Sequence, residues 1–181
     1  MRAQHHHQEP LTYEKVWRII QDQNKETQKM FQETDKKINK LEGFFSSQWG
    51  RFVETLVSGD LINMLKERNI NCNRIIARIK AYYKEREYEF DVVAVNGDEV
   101  VVVEVKTTLN VEDVKEFSEN LKVFKAIFKE YKENKVYGAV AYLQIDGDAD
   151  KYAYRQGFLV IKATGKSSVI TNDKKFVPKA F

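Results

Sequence analysis

The sequence is poor in cysteine and proline, and it contains no long apolar run. Its 181 residues include one cysteine and two prolines. The single cysteine, Cys72, cannot form a disulfide within the chain, which fits a reducing compartment. No stretch approaches the roughly 20 apolar residues of a membrane span, and the residues after Met1 show no signal-peptide pattern. We therefore expect a cytoplasmic protein with no membrane contact.

Charge of one sign is not in excess either. The 30 basic and 27 acidic residues give a net charge of +3, which does not by itself indicate a nucleic-acid partner. Histidine occurs only as a run at residues 5–7. Such a run can bind metal, but it is more typical of a tag remnant or a disordered terminus. With 43% hydrophobic residues, the chain is expected to form one globular domain with an appendage.

The appendage is predicted to be a long helix, because residues 12–45 lack proline and show a heptad repeat. Three polar members of the repeat, Asn24, Thr27 and Thr34, should make a coiled coil weak on its own. The alternative is an amphipathic helix that packs on its own domain. We favour a homodimer because the 3.5-residue period persists throughout the region. The seam comprises Tyr13, Trp17, Ile20, Asn24, Thr27, Phe31, Thr34, Ile38, Leu41 and Phe45.

Gly43 marks the expected break before the globular part. We therefore predict an N-terminal tail and coiled-coil helix at residues 1–45 and a second domain at residues 46–181. A broad apolar face predicts that this domain begins with a separate helix from Ser46. The alternation in residues 74–82 predicts a strand with one buried and one basic face.

The rest of the second domain alternates strands with helices. Asn96-Gly97 is a strong hairpin signal between two apolar stretches. The predicted elements are strands near 87–95 and 99–106, a helix from Asn110 to about Tyr131, a strand at 136–143, a helix at 148–156, a strand at 158–163 and an edge strand at 167–171. The residues after Asn172 are predicted to be loose. This order indicates an α/β fold in which helices cover both faces of a mixed sheet.

The predicted hairpin is apolar on both faces, yet it carries Asp91, Glu104 and Lys106. Buried charges are costly unless they are paired or bound to a metal. A two-residue turn makes Glu104 the diagonal neighbour of Asp91 and a four-residue loop places them opposite each other, so both share one face; a three-residue loop separates them. Neighbouring carboxylates favour a hard divalent cation, and an adjacent Lys can orient water or stabilise phosphate charge. A buried ion network is the alternative.

Asp91 followed by Glu104-Val105-Lys106 resembles the PD-(D/E)XK nuclease superfamily, which includes Holliday junction resolvases and many restriction enzymes. The element order from Gly50 onward is similar to the restriction-endonuclease-like αβββαβ core of that superfamily. Glu54, in "WGRFVETL", stands where the superfamily carries a helical Glu. Residues 46–164 as a whole resemble an uncharacterised prokaryotic branch that has a coiled-coil N-terminus.

Two features bear on this resemblance. Phe90 stands where the superfamily motif has a proline that many members lack. The triplet also occurs at residues 130–132 and 133–135, but these lie at a polar helix end and in the loop after it, where charge costs little. Only residues 104–106 follow a hairpin strand that bears an Asp.

The resemblance implies a nuclease that acts on DNA and depends on Mg²⁺ or Mn²⁺. Asp91 and Glu104 would bind the metal, with the Val105 carbonyl as a third ligand and Glu54 as a direct or water-mediated ligand. Lys106 would position the attacking water. A set of basic side chains would contact phosphates, unless they only form a solvated surface; these are Arg51, Arg74, Arg78 and Lys80. A non-catalytic DNA-binding or assembly module that keeps the fold is the alternative, because fold does not prove activity.

Overall fold

The computed structural model describes residues 12–164 and 167–181. The histidine run at residues 5–7 and the side chain of Phe45 lie outside the described part. The elements are α1 (Tyr13–Lys66), β1 (Arg74–Tyr83), β2 (Arg86–Val95), β3 (Glu99–Leu109), α2 (Val111–Ile127), a 3₁₀ turn (Lys129–Tyr131), β4 (Lys135–Ile145), α3 (Ala149–Arg155), β5 (Leu159–Ala163) and β6 (Ser168–Ile170). Contacts within the chain divide it into two units between Phe45 and Ser46.

Residues 13–45 of the N-terminal unit lie on α1. Its large apolar side chains are exposed, among them Trp17 at 53% and Phe31 at 66%. The predicted interruption of the helix near Gly43 and the separate helix from Ser46 are wrong, because α1 continues from Tyr13 to Lys66. A glycine inside a helix costs about 1 kcal/mol relative to alanine, which does not suffice to end the helix. None of the helices in the described ranges is long and apolar enough to span a membrane.

The second unit is built on a mixed six-stranded sheet in the order β1-β2-β3-β4-β5-β6. Strands β1, β2 and β3 are antiparallel, β3, β4 and β5 are parallel, and β6 returns antiparallel to β5. The parallel pairs are connected through α2 and α3, since parallel neighbours need a crossover. The expected α/β class, with helices flanking a mixed sheet, is confirmed.

Apolar side chains fill both faces of this sheet. On one face, Val53, Val57 and Leu61 of α1 pack in a core that also contains Val92 and Val103. This spacing of four residues places the three α1 side chains on one side of the helix. The opposite core contains buried residues of α2 and α3 together with the alternate positions of the central strands. A two-sided core explains why the middle of the hairpin is apolar at every position.

Helix α2 begins with a side-chain cap at Asn110. The Asn110 side chain accepts a hydrogen bond from the Asp113 backbone N–H, and the Asp113 carboxylate accepts one from the Asn110 N–H, both at 2.9 Å. This reciprocal pair is a capping box, which satisfies backbone donors at the first turn. The helix ends at Ile127, earlier than expected, and is followed by the 3₁₀ turn.

The expectation of a loose C-terminal segment is wrong. The Arg68 guanidinium donates to the backbone carbonyls of Asn172 and Asp173. The backbone N–H of Phe181 donates to the Val136 carbonyl at 2.9 Å. These contacts join residues far apart in sequence, so the local polarity of the segment gives no sign of them.

Candidate metal and phosphate site

The hairpin of β2 and β3 has a four-residue loop. This is one of the two loop lengths for which Asp91 and Glu104 were predicted to share a face. Strand pairing runs from Val92 opposite Val103 to Val95 opposite Val100. The Asn96 side chain organises the loop by accepting hydrogen bonds from the backbone N–H groups of residues 98 and 99. Extending this register by one residue places Asp91 opposite Glu104.

Pairing between β2 and β3 stops where the charged residues begin. Beyond Val92 and Val103, β2 stays paired with β1 and β3 stays paired with β4. The Val105 N–H is not used in the β2–β3 ladder, and the Asp91 Oδ2 atom accepts its hydrogen bond at 2.8 Å. The Asp91 side chain thus takes the place of a strand partner, because a backbone donor in a sheet needs an acceptor. We call the point at which β2 and β3 separate, at Asp91 and Glu104, the fork of the sheet.

The two carboxylates at the fork are perturbed by burial and by neighbouring charge. Burial raises the pKa of Asp91, while the hydrogen bond from Val105 opposes the shift. Burial, followed by the negative charge of Asp91, raises the pKa of Glu104 from 4.5 to about 7. Their proximity therefore favours a proton or a cation at Glu104.

Lys106 provides part of the neutralising charge. Its Nζ lies 2.9 Å from Glu104 Oε1 and 3.9 Å from Asp113 Oδ1. Burial lowers the pKa of Lys106, but the charges of Glu104 and Asp113 outweigh burial, and this pKa lies above its ordinary value. Asp113 was not expected at the site. Its position in the first turn of the helix that directly follows β3 is the sequence signal that could have identified it.

Glu54 is paired with an arginine of the edge strand. Arg78 Nη2 donates to Glu54 Oε1 at 2.7 Å, and Arg78 Nε donates to Oε2 at 2.8 Å. The Glu54 side chain is 16% exposed and that of Arg78 is 41% exposed. Hydrogen bonding to Glu54 raises the pKa of Arg78. Glu54 also raises the pKa of Asp91 through its negative charge, so it lies near the fork.

Arg78 has an unusual backbone for a residue within a strand. Its φ is 53°, in the left-handed region, although its neighbours Ala77 and Ile79 pair regularly with Val92 and Phe90. This register places Arg78 across from Asp91. A non-glycine residue in a sparsely populated backbone region costs about 1–3 kcal/mol and is held there by its surroundings.

The predicted basic face of β1 is not uniformly basic. Lys80 Nζ lies 3.3 Å from Glu87 and 3.0 Å from Glu89, both on β2. Arg78 is engaged with Glu54, so two of the three cations on this strand have acidic partners. Arg74 and Arg51 are exposed. The basic side chains are exposed, as predicted, but acidic side chains lie between them on this surface.

The donor chemistry at the fork fits a hard divalent cation through two carboxylates. In the described part of the chain, no group of three or more His, Cys, Asp or Glu side chains is arranged to hold a metal ion. The charge of Asp91 nevertheless raises the pKa of Glu104, so two carboxylates lie near each other, and Mg²⁺ is commonly held by one or two carboxylates together with water. Glu54, bonded to Arg78 through both oxygens, is not part of this pair.

Comparison with known proteins gives weak similarities. No protein-family model and no curated protein matches the chain. Similar solved structures include a repair endonuclease from Pyrococcus abyssi, with 22% identity and a TM-score of 0.36 over 59% of this chain and 45% of that one. Another is a complex of EndoMS with double-stranded DNA, with 12% identity and a TM-score of 0.34 over 64% and 46%. The chain thus spans less than half the length of either protein.

Proposed function

We propose that the protein is a metal-dependent nuclease that hydrolyses phosphodiester bonds in DNA. The observation that supports this most directly is the fork, where Asp91, Glu104 and Lys106 meet at the point at which two core strands stop pairing. A carboxylate with a strongly raised pKa beside a second carboxylate and a Lys is characteristic of functional sites. A buried network kept only for stability gains little over apolar packing.

In this proposal Asp91 and Glu104 hold Mg²⁺ or Mn²⁺, with the Val105 carbonyl and Glu54 as further ligands. A divalent cation bound there supplies Lewis-acid polarisation of a phosphoryl oxygen and a lowered pKa for bound water. Lys106, kept charged by its acidic neighbours, orients the attacking water or stabilises charge on the phosphate.

The proposal includes DNA binding by basic side chains near the site. Their charge and exposure suit contacts with phosphates, which position a protein without reading sequence. Those next to the fork would bring the scissile phosphate to it, while the others extend the contact along β1 and α1. The residues are Arg51, Arg74, Arg78 and Lys80.

We further propose that the chain forms a homodimer through its N-terminal helix. The seam side chains Trp17, Ile20, Phe31 and Ile38 are between 43% and 66% exposed within one chain, which leaves an apolar stripe for a second copy. One site of this kind cuts one strand, so two sites would allow paired cuts in a duplex. Asn24 would face its partner at an a position and set the register.

A non-catalytic DNA-binding or assembly module is the second candidate. This candidate is favoured because ion pairs engage Glu54 and Glu104. It is also favoured because the site offers a metal two carboxylates, Asp91 and Glu104. In such a module the charges at the fork would neutralise one another permanently, and the N-terminal helix would carry the function.

Calorimetric titration with Mn²⁺ separates the two candidates. A nuclease should bind Mn²⁺, and Asp91→Ala should abolish this binding, whereas Glu119→Ala, which removes an exposed carboxylate of α2, should not. A cleavage assay with Mn²⁺ should use supercoiled, nicked, branched and single-stranded DNA. Cleavage that requires Asp91 supports the proposal; Mn²⁺ binding that is absent or independent of Asp91 contradicts it.

A further inference from the structure

We propose that Arg78 is an exchangeable counter-ion of Glu54. In the free protein it neutralises Glu54, and on DNA binding it transfers to a phosphate, which makes Glu54 available to the metal site. This inference rests on the proposed function. It assigns Arg78 a role as a positioning residue that couples DNA binding to metal binding.

Arg78 holds its present partner through two hydrogen bonds. A guanidinium presents two parallel N–H donors in one plane, and this geometry fits a carboxylate and a phosphate equally well. Its present partner is the carboxylate of Glu54, with both hydrogen bonds at 2.7–2.8 Å. A phosphate would offer the same two-point contact. Because Arg78 is 41% exposed, an incoming DNA strand can reach it without rearrangement of the core.

Arg78 lies among several acidic residues. Its guanidinium interacts with Glu54, Glu89 and Asp91, and its strand position is across from Asp91. A positive charge there stabilises these carboxylates in the absence of a metal. It also opposes a divalent cation at the same carboxylates, since like charges repel.

The backbone of Arg78 has a positive φ. Its φ of 53° departs from the extended conformation of the strand on either side. Residues held in such conformations cluster at ligand clamps and switches, where surrounding contacts keep them in place. The contact with the largely buried Glu54 can keep Arg78 in this backbone conformation. Loss of this contact would leave Glu54 unpaired, so exchange requires another cation at Glu54.

The decisive measurement is Mn²⁺ affinity of the full chain without DNA. Arg78→Asn removes the cation, and Asn tolerates a left-handed backbone better than most residues. We expect this variant to bind Mn²⁺ about tenfold more tightly than wild type, the effect of removing one nearby like charge. The gain in Mn²⁺ affinity should vanish in the double variant that combines Arg78→Asn with Glu54→Gln. Lys122→Asn is the control because it makes the same charge change on the exposed side of α2, and it should leave the affinity unchanged.

A second measurement tests the exchange with DNA. In a Lys106→Ala background, which should not cleave, a short DNA duplex should increase the Mn²⁺ affinity, and Arg78→Asn should make this increase smaller. Circular dichroism checks that each variant is folded. If Arg78→Asn binds Mn²⁺ no better than wild type while Asp91→Ala loses binding, the metal site stands and the role of Arg78 is wrong. If neither wild type nor Arg78→Asn binds Mn²⁺, the proposed function fails as well.

Discussion

Replacing Glu104 with glutamine should stabilise the metal-free protein at alkaline pH and have little effect at acidic pH. The carboxyl of Glu104 is 16% exposed, and its pKa is about 7 against an ordinary 4.5. Between about pH 4.5 and about pH 7, Glu104 therefore keeps its proton in the folded protein and has lost it in the unfolded chain. Wild-type stability contributed by Glu104 is present below about pH 4.5 and is lost as the pH rises to about 7.

The expected size of the effect follows from the same pKa. A rise from 4.5 to about 7 corresponds to about 3 kcal/mol between the two protonation states. Glutamine does not titrate, so Glu104→Gln avoids this cost. The attraction between Lys106 and Glu104 is already part of this pKa, so the loss of that partner in the variant is not subtracted again. The net stabilisation at about pH 8 should be about 2–3 kcal/mol.

Urea unfolding followed by circular dichroism measures this difference. Wild type and Glu104→Gln should be compared at about pH 4.5 and about pH 8, with Glu119→Gln as an exposed control that changes little at either pH. Mn²⁺ should stabilise wild type at alkaline pH and narrow the gap. A variant that is equally destabilised at both pH values would refute the claim that the Glu104 charge is unfavourable in the free protein.

Two further outcomes test the site and the assembly. Asp91→Ala and Lys106→Ala should each abolish DNA cleavage, and only Asp91→Ala should also lose Mn²⁺ binding in calorimetry; cleavage by Lys106→Ala at the wild-type rate would show that its assigned role is wrong. Light scattering should find a dimer for the full chain and weaker association for a chain that begins at Ser46, with Mn²⁺ binding unchanged. A full chain that stays monomeric at high micromolar concentration would contradict the coiled coil.

The sequence predicted those features that depend on local pattern. Alternating apolar runs and the Asn96-Gly97 signal located the hairpin, and Asn110 located the start of α2. The loop length was left open: a loop of two or four residues places Asp91 and Glu104 on one face, and a loop of three residues separates them, because side chains repeat every two residues. The pairing of these two carboxylates therefore depended on the loop length, and the structure has the four-residue loop.

Features that depend on distant partners were not predictable in this way. The period-two pattern correctly made Arg78 an exposed strand residue, but its partner Glu54 lies 24 residues earlier on α1. The C-terminal segment looked loose because it lacks a strong pattern, yet Arg68 binds its carbonyls across more than 100 residues. Gly43 has a low helix propensity, but propensity is a weak guide within a long helix.

The hydrogen bond from Val105 gives Asp91 a structural role beside its proposed role at the metal. The Val105 N–H lies in a mostly buried strand at the fork and has Asp91 Oδ2 as its acceptor at 2.8 Å. Asp91→Ala removes both the acceptor and the negative charge, and a backbone donor left unsatisfied costs about 1–3 kcal/mol. Asp91→Asn keeps an acceptor oxygen and removes only the charge. We therefore expect Asp91→Asn to match or exceed wild type in urea stability at about pH 8, since it also relieves repulsion with Glu104, and to lose Mn²⁺ binding and cleavage as completely as Asp91→Ala. If Asp91→Asn instead unfolds as readily as Asp91→Ala, the charge itself holds the fork together, and the loss of metal binding in either variant no longer identifies a ligand.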